Sequence, residues 1–173
     1  HTLWLLRFTY KKLKENLTVS DSKKLFHEQF PYVIPGLYKR IVDEMLVELN
    51  LLNHQNEFMQ DNLFCVGLTE TFKAFTKDYK PDNHLALLFD SLCTSANFEP
   101  KKIKEISKKT LEQYKEKSIK EISKLLEENT SNLYSSRILN LGIYLIIANG
   151  TDFNKLKDSE KNKTVFDIIN KLN

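Results

Sequence analysis

An all-α fold, a single-domain antiparallel bundle of about eight helices with no β-sheet, is what this sequence predicts. Three observations lead there. Apolar residues recur at 3.6-residue spacing along most of the chain. Glycine and proline number only four each, too few for the tight turns of an all-β chain. The 173 residues, 41% hydrophobic and 28% charged, suit one globular domain and not a disordered chain.

The first apolar run, Leu3 to Lys14, ends on Lys11, Lys12 and Lys14, cations that suit the C-terminal end of a helix. Thr18 precedes Asp21 by three, a capping-box spacing that starts a short helix to about Phe30. Pro31 and Pro35 bracket a turn, and Pro35 is placed as the first residue of the next helix. That helix runs to about His54, with Tyr38, Ile41, Val42, Met45, Leu49 and Leu52 on one face. Asp61 opens a helix to about Tyr79, stopped by Pro81, and Asp82 caps one to about Ala96.

Pro100 opens a Lys- and Glu-rich helix to about Lys117. Ser118 with Glu121 forms a second capping box, for a helix to about Glu128. The segment from Tyr134 to Asn149 is apolar nearly all round, which predicts a buried central helix with Gly150 just beyond its end. A last amphipathic helix starts near Ser159 and carries Val165, Phe166, Ile168, Ile169 and Leu172. Gly67 and Gly142 lie inside helices, where each costs about 1 kcal/mol relative to Ala. Close approach of two helices is the structural reason for such a position.

Net charge is +3, with Lys and Glu interspersed, the pattern of a solvated surface and not of a basic stripe for nucleic acid. Only Arg7, Arg40 and Arg137 are arginines, so bidentate recognition of phosphate or bases has little to draw on. Cys65 and Cys93 sit in apolar helical stretches without CxxC spacing, as small buried hydrophobes of a reducing compartment do. The longest apolar stretch, Ile138 to Ala148, is eleven residues, and crossing a bilayer takes roughly twenty.

No phosphate loop, dinucleotide fingerprint, nucleophile elbow or HExxH is present, and His1, His27, His54 and His84 are scattered without metal-ligand spacing. The expectation is therefore no enzyme, no catalytic residue, no metal site and no cofactor. A hydrolase would need a deep pocket around Glu48, His54 or Cys65 with converging polar groups. Glu48 falls on the apolar face of its helix, so its carboxylate needs a partner or a place at the bundle margin. Arg137, on the apolar central helix, is the candidate structural ion pair for Glu48.

Thr18-Val19-Ser20-Asp21-Ser22-Lys23, followed by Leu37-Tyr38-Lys39-Arg40-Ile41-Val42 and on to Leu49-Asn50-Leu51-Leu52, resembles the opening signature of the thylakoid formation protein family of cyanobacteria and chloroplasts. Gly67-Leu68 with Phe72, Phe75, Tyr79 and Pro81, then Ser91-Leu92-Cys93, Phe98 and Pro100, continue the likeness. Tyr134-Ser135, Arg137-Ile138-Leu139 and Gly142-Ile143-Tyr144-Leu145 resemble the family's apolar helix. The resemblance covers 18–173, and residues 1–17 form an N-terminal extension outside it. It departs where the family has an Arg-Pro-Ile type turn, since the turn here reads Tyr32-Val33-Ile34-Pro35. The residues up to Asn173 also do not include the charged, coiled-coil-like C-terminal extension usual in the family.

The resemblance implies an all-helical, non-catalytic accessory factor of thylakoid biogenesis and photosystem II assembly or repair. It implies peripheral attachment at the cytoplasmic side of the thylakoid membrane in a cyanobacterium. It also implies partners among FtsH-type proteases and photosystem II subunits, while the charge pattern and the missing motifs give the expectation of no nucleic acid and no small-molecule substrate. The charged arm at about 99–128 is the expected partner surface, with Tyr114 and Leu126 as its apolar anchors. The alternative is a membrane-surface protein that binds through its N-terminal segment, where Leu3, Trp4, Leu6 and Phe8 accompany Arg7, Lys11, Lys12 and Lys14.

Overall fold

A computed structural model describes residues 17–55, 60–130 and 136–172. Among them every regular element is helical: α1 (Val19–Gln29), α2 (Gly36–Asn53), α3 (Asn62–Phe75), α4 (Leu85–Ser95), α5 (Pro100–Tyr114), α6 (Ile119–Asn129), α7 (Arg137–Ala148) and α8 (Asp158–Leu172). Two 3₁₀ turns, Asp82–His84 and Phe153–Lys155, precede α4 and α8. The expected N-terminal helix, and the membrane anchor it would supply, lie outside the described residues.

The helix starts are written locally. In both capping boxes the hydroxyl accepts from the backbone three residues on and the acidic side chain returns to the cap: Thr18 with Asp21, and Ser118 with Glu121. α7 begins at Arg137, later than the expected Tyr134, because the Ser136 hydroxyl accepts from the Ile138 N–H and caps it there. α2 begins at Gly36 with Pro35 at the cap.

Helix ends depart further from expectation. α3 stops at Phe75, four residues short of Tyr79. Asp82 does not cap α4 as its neighbour pattern suggested, because both of its carboxylate oxygens take hydrogen bonds from the Lys80 ammonium. α5 stops at Tyr114, and Glu116 follows with a left-handed φ of 58°. Gly150 ends α7 without a positive φ. What its missing side chain provides is room, since a Cβ there would lie 3.1 Å from the Ile119 side chain.

The described residues divide into two compact units, 17–55 with 75–101, and 60–74 with 102–172. Neither is contiguous in sequence. In the first, α1, α2 and α4 pack on one another around Phe26, Phe30, Leu46, Leu49, Leu88 and Leu92, all fully buried. Asn50 ties α2 to the start of α1, donating to the Leu17 carbonyl at 2.9 Å and to the Ser22 hydroxyl at 3.1 Å.

In the second unit, α6, α7 and α8 pack mutually, and α3 crosses α7 at the two glycines. A Cβ on Gly67 would land on the Ile138 carbonyl, and one on Gly142 would lie 2.9 Å from the Gly67 Cα. The expected close helix approach is therefore real, and its two members face each other. Thr69 bonds to Ser107 across α3 and α5 at 2.6 Å while donating to the Cys65 carbonyl. Fully burying a Leu or Ile contributes roughly 1.5–3 kcal/mol, so these apolar layers dominate both units.

Candidate interaction surface

The charged arm has the character its sequence gives it on the outside only. On α5 and α6 the exposed positions are Lys and Glu apart from Gln113 and Asn129, with local pairs such as Lys109–Glu105 at 3.1 Å. Such exposed pairs are worth about 0–1 kcal/mol and leave no organised binding feature. The two residues expected to anchor a partner lie on the other face. Tyr114 is 5% exposed and Leu126 0%, so both belong to the core of the second unit. Their burial has a simple cause: a narrow apolar stripe on a charged helix is what that helix buries first.

Glu48 is half-buried on α2 in the first unit. Arg137 is exposed at the first position of α7 in the second, although the apolar pattern of its helix predicts burial nearly all round. Cys65 and Cys93 are buried free thiols. Burial pushes the Cys65 thiol up to about 11, which keeps it neutral and a poor nucleophile at physiological pH.

Two concavities lie in the second unit. A recess of about 190 Å³ is lined by Asp61, Gln113, Tyr114 and Asn129 among others. Asp61 is the cap of α3, accepting from the Phe64 N–H at 2.8 Å, and burial raises its pKa above the ordinary carboxylate value. Burial likewise raises that of Tyr114, opposed by a hydrogen bond with Asn129. Both groups are thus occupied in structural bonds. An open groove of about 760 Å³ between α6 and α8 mixes Lys124, Glu127, Asp167 and Lys171 with Ile119 and Ile168. Among the described residues, no group of three or more His, Cys, Asp or Glu side chains is placed to hold a metal ion.

The surface feature that does stand out is the turn between α1 and α2. From Phe30 to Tyr38 the sequence carries no charged side chain. Phe30 is buried, and beyond it Tyr32 is 47%, Val33 93% and Leu37 70% exposed. Pro31, Pro35 and Gly36 between them are exposed as well. The turn is held in shape: the Tyr32 ring stacks on His84 with centroids 3.8 Å apart, and the Phe30 ring meets both edge-on at 5.5 and 6.1 Å. Two prolines restrict the backbone further. The sequence marks this turn as a departure from the family pattern but not as a surface. The available signal was the long run without a charged side chain, and what it lacked was any sign that Val33 and Leu37 stay uncovered.

No described helix is long and apolar enough to cross a membrane. The family model described as "Thylakoid formation protein" matches residues 18–173. The chain is 80% identical over 162 residues to "Protein Thf1" of Prochlorococcus marinus subsp. pastoris (strain CCMP1986 / NIES-2087 / MED4), covering 93% of this chain and 80% of the relative. It is 68% identical over 161 residues to "Protein Thf1" of Prochlorococcus marinus (strain MIT 9312), covering 92% and 80%. A solved structure of Psb29 resembles it with a TM-score of 0.76 over 90% of each chain at 24% identity, a likeness of fold.

Proposed function

The chain belongs to the thylakoid formation protein family, and from that membership we propose that it is a non-enzymatic accessory factor of photosystem II assembly and repair. It acts by binding other proteins, with an FtsH-type membrane protease complex as the principal partner. It works at the cytoplasmic side of the thylakoid membrane, attached peripherally.

One observation carries this reading: the family match runs from residue 18 to residue 173, so the whole helical body belongs to a family described by thylakoid formation, a description that names no reaction. The structure supports it in kind. Apart from the Thr71 and Ser91 hydroxyls, its buried polar side chains are engaged in caps and helix hydrogen bonds, and the two most exposed large apolar side chains among the described residues, Val33 and Leu37, share one turn, as protein-binding surfaces do.

The test is affinity capture with the full chain from detergent-solubilised thylakoids of the source cyanobacterium. Recovery of FtsH-type subunits, with photosystem II subunits alongside, is the expected result. Recovery of neither would sink the proposal.

A further inference from the structure

The turn from Pro31 to Leu37 combines exposed apolar side chains with a stretch of backbone, residues 31–34, that bonds to nothing else in the described chain. Pro31 and Pro35 have no N–H. The N–H groups of Tyr32, Val33 and Ile34, and the carbonyls of residues 31–34, make no hydrogen bond to any other described residue. The first internal bond after the turn is the one Pro35 accepts from the Lys39 N–H at 2.9 Å. Exposed backbone groups without an internal partner are satisfied by water.

Any occupant that covers Val33 and Leu37 strips that water. Three donors and four acceptors must then be paired again, or each costs about 1–3 kcal/mol. Lipid hydrocarbon offers no partners. A protein groove does, by the strand-addition and polyproline modes in which backbone bonds hold an extended segment and pockets take its side chains. The segment is entered and left in extended backbone, at Phe30 (φ −112°, ψ 92°) and Pro35 (φ −55°, ψ 145°).

Charge points the same way. The charged groups that flank the turn or its His84 support are three cations, Lys39, Arg40 and Lys80, and four carboxylates, Glu28, Asp43, Glu44 and Asp82, of which Asp43 is paired with a fourth cation, Lys23, at 3.6 Å. Arg40 is bound to Glu44 at 3.1 Å and Lys80 to Asp82 at 2.9 Å. An anionic leaflet attracts surfaces through unpaired clusters of Lys and Arg, and this rim has no net charge to offer. It matches a partner surface that is itself uncharged.

We propose that the 31–37 turn is a preformed epitope for a protein partner presenting a neutral, apolar groove, with pockets for Val33 and Leu37 and backbone groups that pair with residues 32–34. The stack of Tyr32 on His84 and the two prolines hold the epitope in shape before binding, which lowers the ordering cost of association. This inference rests on the protein-binding reading above and assigns the surface that reading leaves open.

The full chain is titrated against the detergent-solubilised FtsH-type complex, together with Val33→Asp, Leu37→Asp and, on the exposed face of α5, Lys108→Glu. Because Val33 and Leu37 project into water, all three variants keep the wild-type thermal transition. Val33→Asp and Leu37→Asp each weaken binding about tenfold or more, and Lys108→Glu changes it by less than about twofold. Wild-type binding that both turn variants retain overturns the epitope and leaves the proposed function standing.

If the wild-type chain does not bind the complex, the proposed function fails, and a photo-crosslinking residue at position 33 in isolated thylakoids decides the epitope alone. A crosslinked protein whose contacting peptide, identified by mass spectrometry, is apolar upholds it. Lipid adducts or no adduct overturn it. So does flotation of the wild-type chain with galactolipid vesicles carrying a minor anionic fraction when Val33→Asp abolishes that flotation.

Discussion

Two buried hydroxyls, on Thr71 and Ser91, have no hydrogen-bond partner among the described residues. Each gave up its water on folding and received nothing in return, a cost of about 1–3 kcal/mol. Replacement of Thr71 by the isosteric Val removes the hydroxyl and keeps the volume. Thr71→Val is expected to stabilise the protein by about 1 kcal/mol, read as a rise in the urea midpoint at unchanged slope. A loss of stability would mean that the hydroxyl is satisfied after all. Thr69, two residues earlier, is the control: its hydroxyl bonds to Ser107 and the Cys65 carbonyl, so Thr69→Val should cost about 1 kcal/mol or more.

The helix ends of α5 and α6 carry the next predictions. Glu116 holds a left-handed φ of 58° with its side chain exposed, a conformation that costs a non-glycine residue roughly 1 kcal/mol. Glu116→Gly is expected to raise stability by a few tenths to about 1 kcal/mol, measured by thermal denaturation. The capping box of α6 works the other way, and Ser118→Ala should cost about 1 kcal/mol. The backbone and side-chain hydrogen bonds of Ser118 hold the Glu121 carboxyl below its ordinary pKa, and those of Thr18 do the same for Asp21. A lowered carboxylate contributes stability above its unfolded pKa and loses it as pH falls through the folded one. Acidification from neutrality to below about pH 4 should therefore destabilise wild type more than Glu121→Gln. Equal pH dependence of the two urea midpoints would refute this. Asp61 has the opposite sign, since burial raises its pKa, and its ionised form weakens the fold as pH rises through that value.

At the scale of the molecule, the α3–α7 crossing is the tightest constraint in the second unit. A side chain at Gly67 would collide with backbone, which does not move as a flexible side chain does. Gly67→Ala is expected to destabilise by about 3 kcal/mol or more. A Cβ on Gly36 would meet nothing within 4 Å, and Gly36→Ala should instead be neutral or gain up to about 1 kcal/mol. Paired chemical denaturation curves separate the two glycines, and similar effects from both would remove the crossing as the reason for Gly67.

The residues that cap α1 and α6 were legible because a capping box lies within four consecutive residues and needs nothing from the rest of the chain. The helices were legible because an apolar face repeats every turn whatever covers it, and the family signature because it is a string of residues. Tertiary structure alone decided what each face meets. Tyr114 and Leu126 read as surface anchors on a charged arm and are core, Arg137 reads as part of a buried helix and is exposed, and Val33 in the turn and Leu37 at the start of the second predicted helix carry no sign of exposure and stand uncovered. The interleaving of the two compact units, with 60–74 joining 102–172, left no linker in the sequence to mark it. The physical reason is common to all of these. Hydrogen bonds at helix ends are set by neighbours three residues away, whereas burial depends on helices that are tens of residues distant and on whether any helix arrives at all.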